Sequence, residues 1–73
     1  MTTFIKLTEL YLTVDQEVLE REIFINPHRI KYFEGIYTPN FRTYLTAIHW
    51  APGGFNNTYV KETPEQIIKL LAK

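Results

Sequence analysis

The stretch Thr63-Pro64-Glu65-Gln66-Ile67-Ile68-Lys69-Leu70-Leu71, "TPEQIIKLL", is where the chain changes its period. Thr63 suits an N-cap and Pro64 suits the first helical position. Gln66, three residues after Thr63, completes a capping-box pattern. Ile67, Ile68 and Leu71 then form an apolar stripe at helical spacing, with Leu70 on its flank. Glu65 and Lys69 are an i, i+4 pair in the favourable order, and Lys69 and Lys73 suit the negative end of the helix dipole. A helix with one apolar stripe must bury it against another layer. What precedes it must supply that layer.

Until residue 62 the composition is β-branched and aromatic, as in strands. "TFIKLTELYLTV" (2–14) is a first strand, with Ile5 and Leu7 on one face and Leu10, Leu12 and Val14 on the other. The parity switch near Thr8-Glu9 predicts either a bulge or a strand that passes between the two sides of a curled sheet. "DQE" is a turn, and "VLEREIFI" (18–25) places Leu19, Ile23 and Ile25 on one face. Asn26-Pro27 ends that strand, because proline donates no ladder hydrogen bond and biases its predecessor away from the helical region. His28 is then a turn residue. "RIKYFEGIY" (29–37) is a strand with Ile30, Tyr32 and Ile36 together. Thr38-Pro39-Asn40 turns, with Pro39 at the first corner. "FRTYLTAIHW" (41–50) returns antiparallel, "APGGFNN" is a loop, and "TYVKE" (58–62) is a short fifth strand. The expected fold is therefore α+β. About five strands form a small curled antiparallel sheet, open or closed into a barrel-like form, with one C-terminal helix packed on it.

Seventy-three residues make one small domain, spanning 1–73. A chain of this size buries only about 60% of the surface exposed when unfolded, so its stability margin is thin. Cysteine is absent, which excludes disulfides and thiolate metal sites and fits a reducing compartment. Association with a protein partner or with itself is the remaining way to add buried surface. Eight basic and eight acidic residues balance, which argues against a strong nonspecific hold on nucleic acid or anionic membrane. The segment Glu9 to Glu22 is acidic, with Arg21 its only cation, and reads as an acidic edge. "MTTFIKLTEL" lacks the layout of a signal peptide, and no apolar run approaches the ~20 residues of a membrane span. A cytoplasmic protein is expected. The sequon Asn56-Asn57-Thr58 then carries no weight.

Chemistry-bearing motifs are few. There is no serine or cysteine, and nothing in the sequence brings Glu34 to either histidine, so no catalytic residues are expected. His28 and His49 lack metal-ligand spacing, and no metal or other cofactor is expected. "PGGFNN" lacks the lysine and following helix of a phosphate-binding loop. Phe55, at the tip of that loop, either folds onto the core or is offered to a partner. It is taken here, with Trp50, as an interface residue. Eleven aromatics (five Tyr, five Phe, one Trp) supply much of a miniature core. They are also interleaved with cations. Arg29, Lys31, Arg42 and Tyr44 form the alternative surface, one for single-stranded nucleic acid, with Arg29 across from Arg42.

Ile5-Lys6-Leu7-Thr8, Phe24-Ile25-Asn26, Ile30 and the run Val60-Lys61-Glu62-Thr63-Pro64-Glu65-Gln66-Ile67 occur in an order that resembles the small FlbD/SwrD-type motility proteins. This chain is longer than they are between Glu9 and Glu22 and between Ile30 and Tyr59. The resemblance implies a noncatalytic accessory role in flagellar function or swarming, and brings no catalytic residues with it. A phage-encoded small protein would fit the same pattern. The expected function is a noncatalytic protein-protein interaction or assembly module, self-associating or bound to another protein. No small-molecule substrate or membrane partner is expected. The alternative is a single-stranded nucleic-acid-binding β domain.

Overall fold

In the computed structural model, which describes residues 3–51 and 57–72, the strand-forming composition resolves into five strands. They are β1 (Ile5–Leu12), β2 (Val18–Ile25), β3 (Ile30–Thr38), β4 (Thr43–Trp50) and β5 (Thr58–Val60), followed by the helix α1 (Pro64–Leu71). All neighbouring strands are antiparallel, in the order β2-β1-β5-β4-β3. The sheet is open, and β2 and β3 are its edges.

The link between those edges dictates the shape. Four strand spacings would separate β2 from β3 by roughly 19 Å in a flat sheet. Only Asn26–Arg29 joins them, and Pro27–Arg29 is a 3-10 turn. A link of that kind spans roughly 13 Å, so the sheet must curl. The turn is held firmly. Asn26 Oδ1 accepts from the His28 backbone N–H at 2.9 Å, and the Arg29 carbonyl accepts from Ala51 N–H at 2.8 Å. Asn26-Pro27 is thus punctuation, and His28 is an exposed turn residue.

Pairing parity assigns the two faces. Ile5, Leu7, Ile25, Ile48 and Val60 form a buried cluster with Ile67 of α1, flanked by Ile23, Ile30, Phe33, Trp50 and Leu70. Leu10, Leu45 and Ala47 are also buried, but they alternate onto the opposite face, which no helix covers. There the β3–β4 turn sets Phe41 against Tyr59, with ring centroids 5.7 Å apart. The parity switch in β1 is therefore a feature of curling. Its register with β2 runs unbroken from Ile5↔Ile25 to Leu12↔Val18, with no bulge at Thr8-Glu9.

The bulge lies elsewhere. Register shifts between Ile30↔Trp50 and Tyr32↔His49, leaving Lys31 as the extra residue. Ile30 and Tyr32 consequently face opposite sides of the sheet, where simple alternation had put them together. The turn between β3 and β4 falls at Thr38-Pro39-Asn40 as expected, and its left-handed residue is Arg42, with φ 56°. Gln16 adopts the same conformation, φ 66°, in the β1–β2 turn.

The helix begins as its sequence dictates. Thr63 Oγ1 accepts from Gln66 N–H at 3.2 Å, and Gln66 Oε1 accepts from Thr63 N–H at 2.9 Å. Its buried face differs from the expected stripe. Ile67 is fully buried and Leu70 half-buried, whereas Ile68 is 57% and Leu71 39% exposed. The seat is rotated because Pro64 rests over Gly35 and fixes the helix beside β3; a Cβ on Gly35 would stand 3.4 Å from Pro64 Cγ. Ile67→Ala is expected to cost about 2–5 kcal/mol, as cavity-forming core truncations do. Ile68→Ala should stay within about 0.5 kcal/mol of wild type, as surface substitutions do. Urea unfolding of the two variants checks the difference.

Candidate interaction surface

Two backbone anchors hold α1 against the sheet. The Thr46 hydroxyl, fully buried, donates to the Glu62 carbonyl at 2.6 Å. The Glu62 carboxylate accepts from Thr8 N–H at 2.8 Å. The residue before the cap is thereby tied to both β4 and β1. Rigidly placed, α1 lies against β3 and leaves Ile68 and Leu71 uncovered. At its start a cleft of about 310 Å³ is lined by residues that include Gly35, Tyr44, Thr46 and Pro64. Tyr44 is 79% exposed and meets Tyr37 edge-on across the β3–β4 pair at 5.2 Å. An edge strand with free backbone, an exposed helix flank and two accessible tyrosines thus occur on one side of the molecule.

Charge is distributed unevenly between the two edges. Every charged side chain within β2 has an intramolecular partner. Glu22 meets Lys6 at 3.6 Å, Arg21 meets Glu9 at 2.6 Å, and Glu20 meets Lys61 at 3.4 Å. Arg21 also lies 4.9 Å above the Tyr11 ring. Glu9, Glu20 and Glu22 of the acidic run are therefore paired, their other cations drawn from β1 and from the residue after β5. Exposed pairs of this kind contribute about 0–1 kcal/mol each, and salt weakens them. By contrast Arg29, Lys31 and Arg42, on β3 or its flanking turns, have no ion-pair partner among the described residues.

Arg29 and Lys31 sit at the start of β3, while Arg42 and Tyr44 sit at the far end of the same hairpin. Arg29 faces Ala51, not Arg42. Eight residues at roughly 3.4 Å each put about 27 Å between those ends, so the expected four-residue surface is split in two. Arg42 is a tip residue in a backbone conformation that glycine adopts more readily. Trp50 is half-buried against the core cluster, and its indole N–H donates to Thr58 Oγ1 at 2.8 Å. Phe55 lies outside the described residues.

One constellation was invisible in the sequence. Glu34 Oε2 lies 2.9 Å from His49 Nε2, and the Tyr32 ring stacks on the imidazole at 4.1 Å with an interplanar angle of 17°. Tyr32 is the direct cross-strand partner of His49, and Glu34 is its diagonal neighbour. This register runs unbroken from the β3–β4 turn, Thr38↔Thr43 to Tyr32↔His49, and it is the cross-strand pairing that brings the three together. Among the described residues no group of three or more metal-ligating side chains gathers, and no helix is long and apolar enough to cross a membrane.

No family model, curated protein or solved structure matches the chain. Trp50→Phe retains most of the ring packing but removes the donor to Thr58. It is expected to lower stability by about 1 kcal/mol, in line with the loss of one hydrogen bond, as read from the denaturant midpoint.

Proposed function

We propose that this chain is a noncatalytic protein-binding module, a component of an assembly, that receives an extended segment at the open edge of its sheet. The carrying observation is the β3 edge. Nine residues form an edge strand with one side of its backbone unpaired, and α1, which packs against β3, leaves Ile68 and Leu71 exposed. Strand addition uses such a combination: main-chain hydrogen bonds supply affinity, and alternate side chains enter the flanking apolar surface. Free edges are otherwise a hazard that proteins blunt with charges and bulges. Lys31 provides both, which limits pairing to partners that match it.

Catalysis draws no support from the site. The Glu34–His49 pair lies on the sheet surface, and the chain has no serine or cysteine for it to activate. A role in the cytoplasm, as a motility accessory or a phage-encoded assembly component, accords with the resemblance to the FlbD/SwrD-type proteins. One observation favours single-stranded nucleic acid instead, namely the unpaired Arg29, Lys31 and Arg42 together with the exposed Tyr44. The zero net charge and the split of that surface favour the protein partner.

Selection from a displayed random-peptide library is the direct test. Enriched peptides are expected to have alternating apolar residues with acidic neighbours, and to protect β3 amides from hydrogen exchange when bound. Mixed oligonucleotides at low salt should cause no mobility shift. Peptides that bind without protecting β3, or oligonucleotides that shift, would remove this reading.

A further inference from the structure

Resting on edge docking as the mode of interaction, we infer that the segment received at β3 is β2 of a second copy of this chain, so that copies join head to tail. The two edges are complementary in charge. β3 and its flanks hold Arg29, Lys31 and Arg42 without intramolecular partners among the described residues. β2 and its turn hold Glu20 and Glu22 together with Asp15 and Glu17, and the latter two have no cation within ion-pair distance among the described residues. Glu20 and Glu22 do meet Lys61 and Lys6, at 3.4 and 3.6 Å. Those contacts are loose and solvent-exposed, and an incoming cation can share the carboxylates.

Like-with-like pairing is disfavoured on both sides. Two β2 edges would bring Glu20 and Glu22 toward their own images. Two β3 edges paired in parallel would do the same with Arg29 and Lys31 and set two bulges against one another, and paired antiparallel they would bring Arg29 toward the Arg42 end of the other copy. The unlike pair brings the unpartnered cations of one edge to the surplus acids of the other. The backbone shapes agree with this choice, since β2 keeps unbroken register along its eight residues and offers a regular outer edge.

The apolar surfaces agree as well. Antiparallel addition of β2 to β3 turns the incoming sheet over, because β2 and β3 run in the same direction within one protomer. Val18 and Phe24, both exposed on the helix-free face of β2, then lie on the side of Ile68 and Leu71. Val18 and Phe24 stand roughly 20 Å apart along β2, so one of them, not both, can cover the Ile68 and Leu71 flank in the pair. A contact between unlike patches repeats, giving rings or chains of protomers rather than a closed twofold dimer.

Light scattering on three proteins and one mixture tests this. Wild type is expected to show a mass that grows with concentration and falls with salt. Arg29→Glu/Lys31→Glu alone places acid on both edges, and Glu20→Lys/Glu22→Lys alone places base on both. Each should associate roughly tenfold or more weakly than wild type, a change of one decade in dissociation constant. Mixing the two in equal amounts should restore association, because each then supplies the edge the other needs. A wild type that stays at protomer mass, variants that keep the wild-type mass, or a mixture that fails to recover would each overturn the inference. In any of those outcomes, library peptides that still protect β3 would leave edge docking standing with another protein's strand as occupant. Peptides that fail as well would remove both.

Discussion

The seat of Ile67 is the constraint on which the rest depends. Ile67 is fully buried in the cluster formed by Ile5, Leu7, Ile25, Ile48 and Val60, and burying a side chain of this size is worth about 1.5–3 kcal/mol. It reaches that position because the preceding residues leave α1 little choice. Glu62 is bonded through its carbonyl to Thr46 and through its carboxylate to Thr8, and Thr63 caps the helix one residue later. A buried hydroxyl would be costly without a partner, and here it fixes the angle at which the helix enters. The polar and apolar contacts therefore select the same placement.

That placement matters because the sheet is nearly, but not fully, wrapped. Four residues join its two edges, so the strands must curl, and the curl gives this small chain two apolar faces in place of one. α1 covers the first; the β3–β4 turn, through Phe41 on Tyr59, contributes to the second. No ladder closes β2 onto β3, and their backbone groups stay available. The chain has no cysteine, and no metal site gathers among the described residues; under the proposed function, contact with another protein strand adds the buried surface that a small domain lacks.

The two edges differ in character. Charges along β2 are matched inside the protomer, whereas Arg29, Lys31 and Arg42 at and around β3 are not matched among the described residues. In the Glu34–His49–Tyr32 set, a diagonal hydrogen bond and a stacked ring brace β3 against β4. Such cross-strand pairs are each worth a few tenths to about 1 kcal/mol, enough to stiffen an edge strand next to its bulge.

The strand and helix segments, the Asn26-Pro27 break and the capping box at Thr63 were all legible in the sequence. These depend on local chemistry: β-branched alternation, a missing proline N–H, a hydroxyl three residues from a glutamine. The position of the bulge was not legible, nor was the exposure of Ile68, the burial of Trp50 within the protomer, or the pairing of Glu34 with His49. Each depends on which residues end up opposite one another. A bulge at Lys31 flips every side chain before it relative to those after it, and the contact of Pro64 with Gly35 turns the helix by part of a turn. Composition limits the chain to a curled sheet under a helix. Only packing in three dimensions decides which edge stays open and which side chains stand beside it.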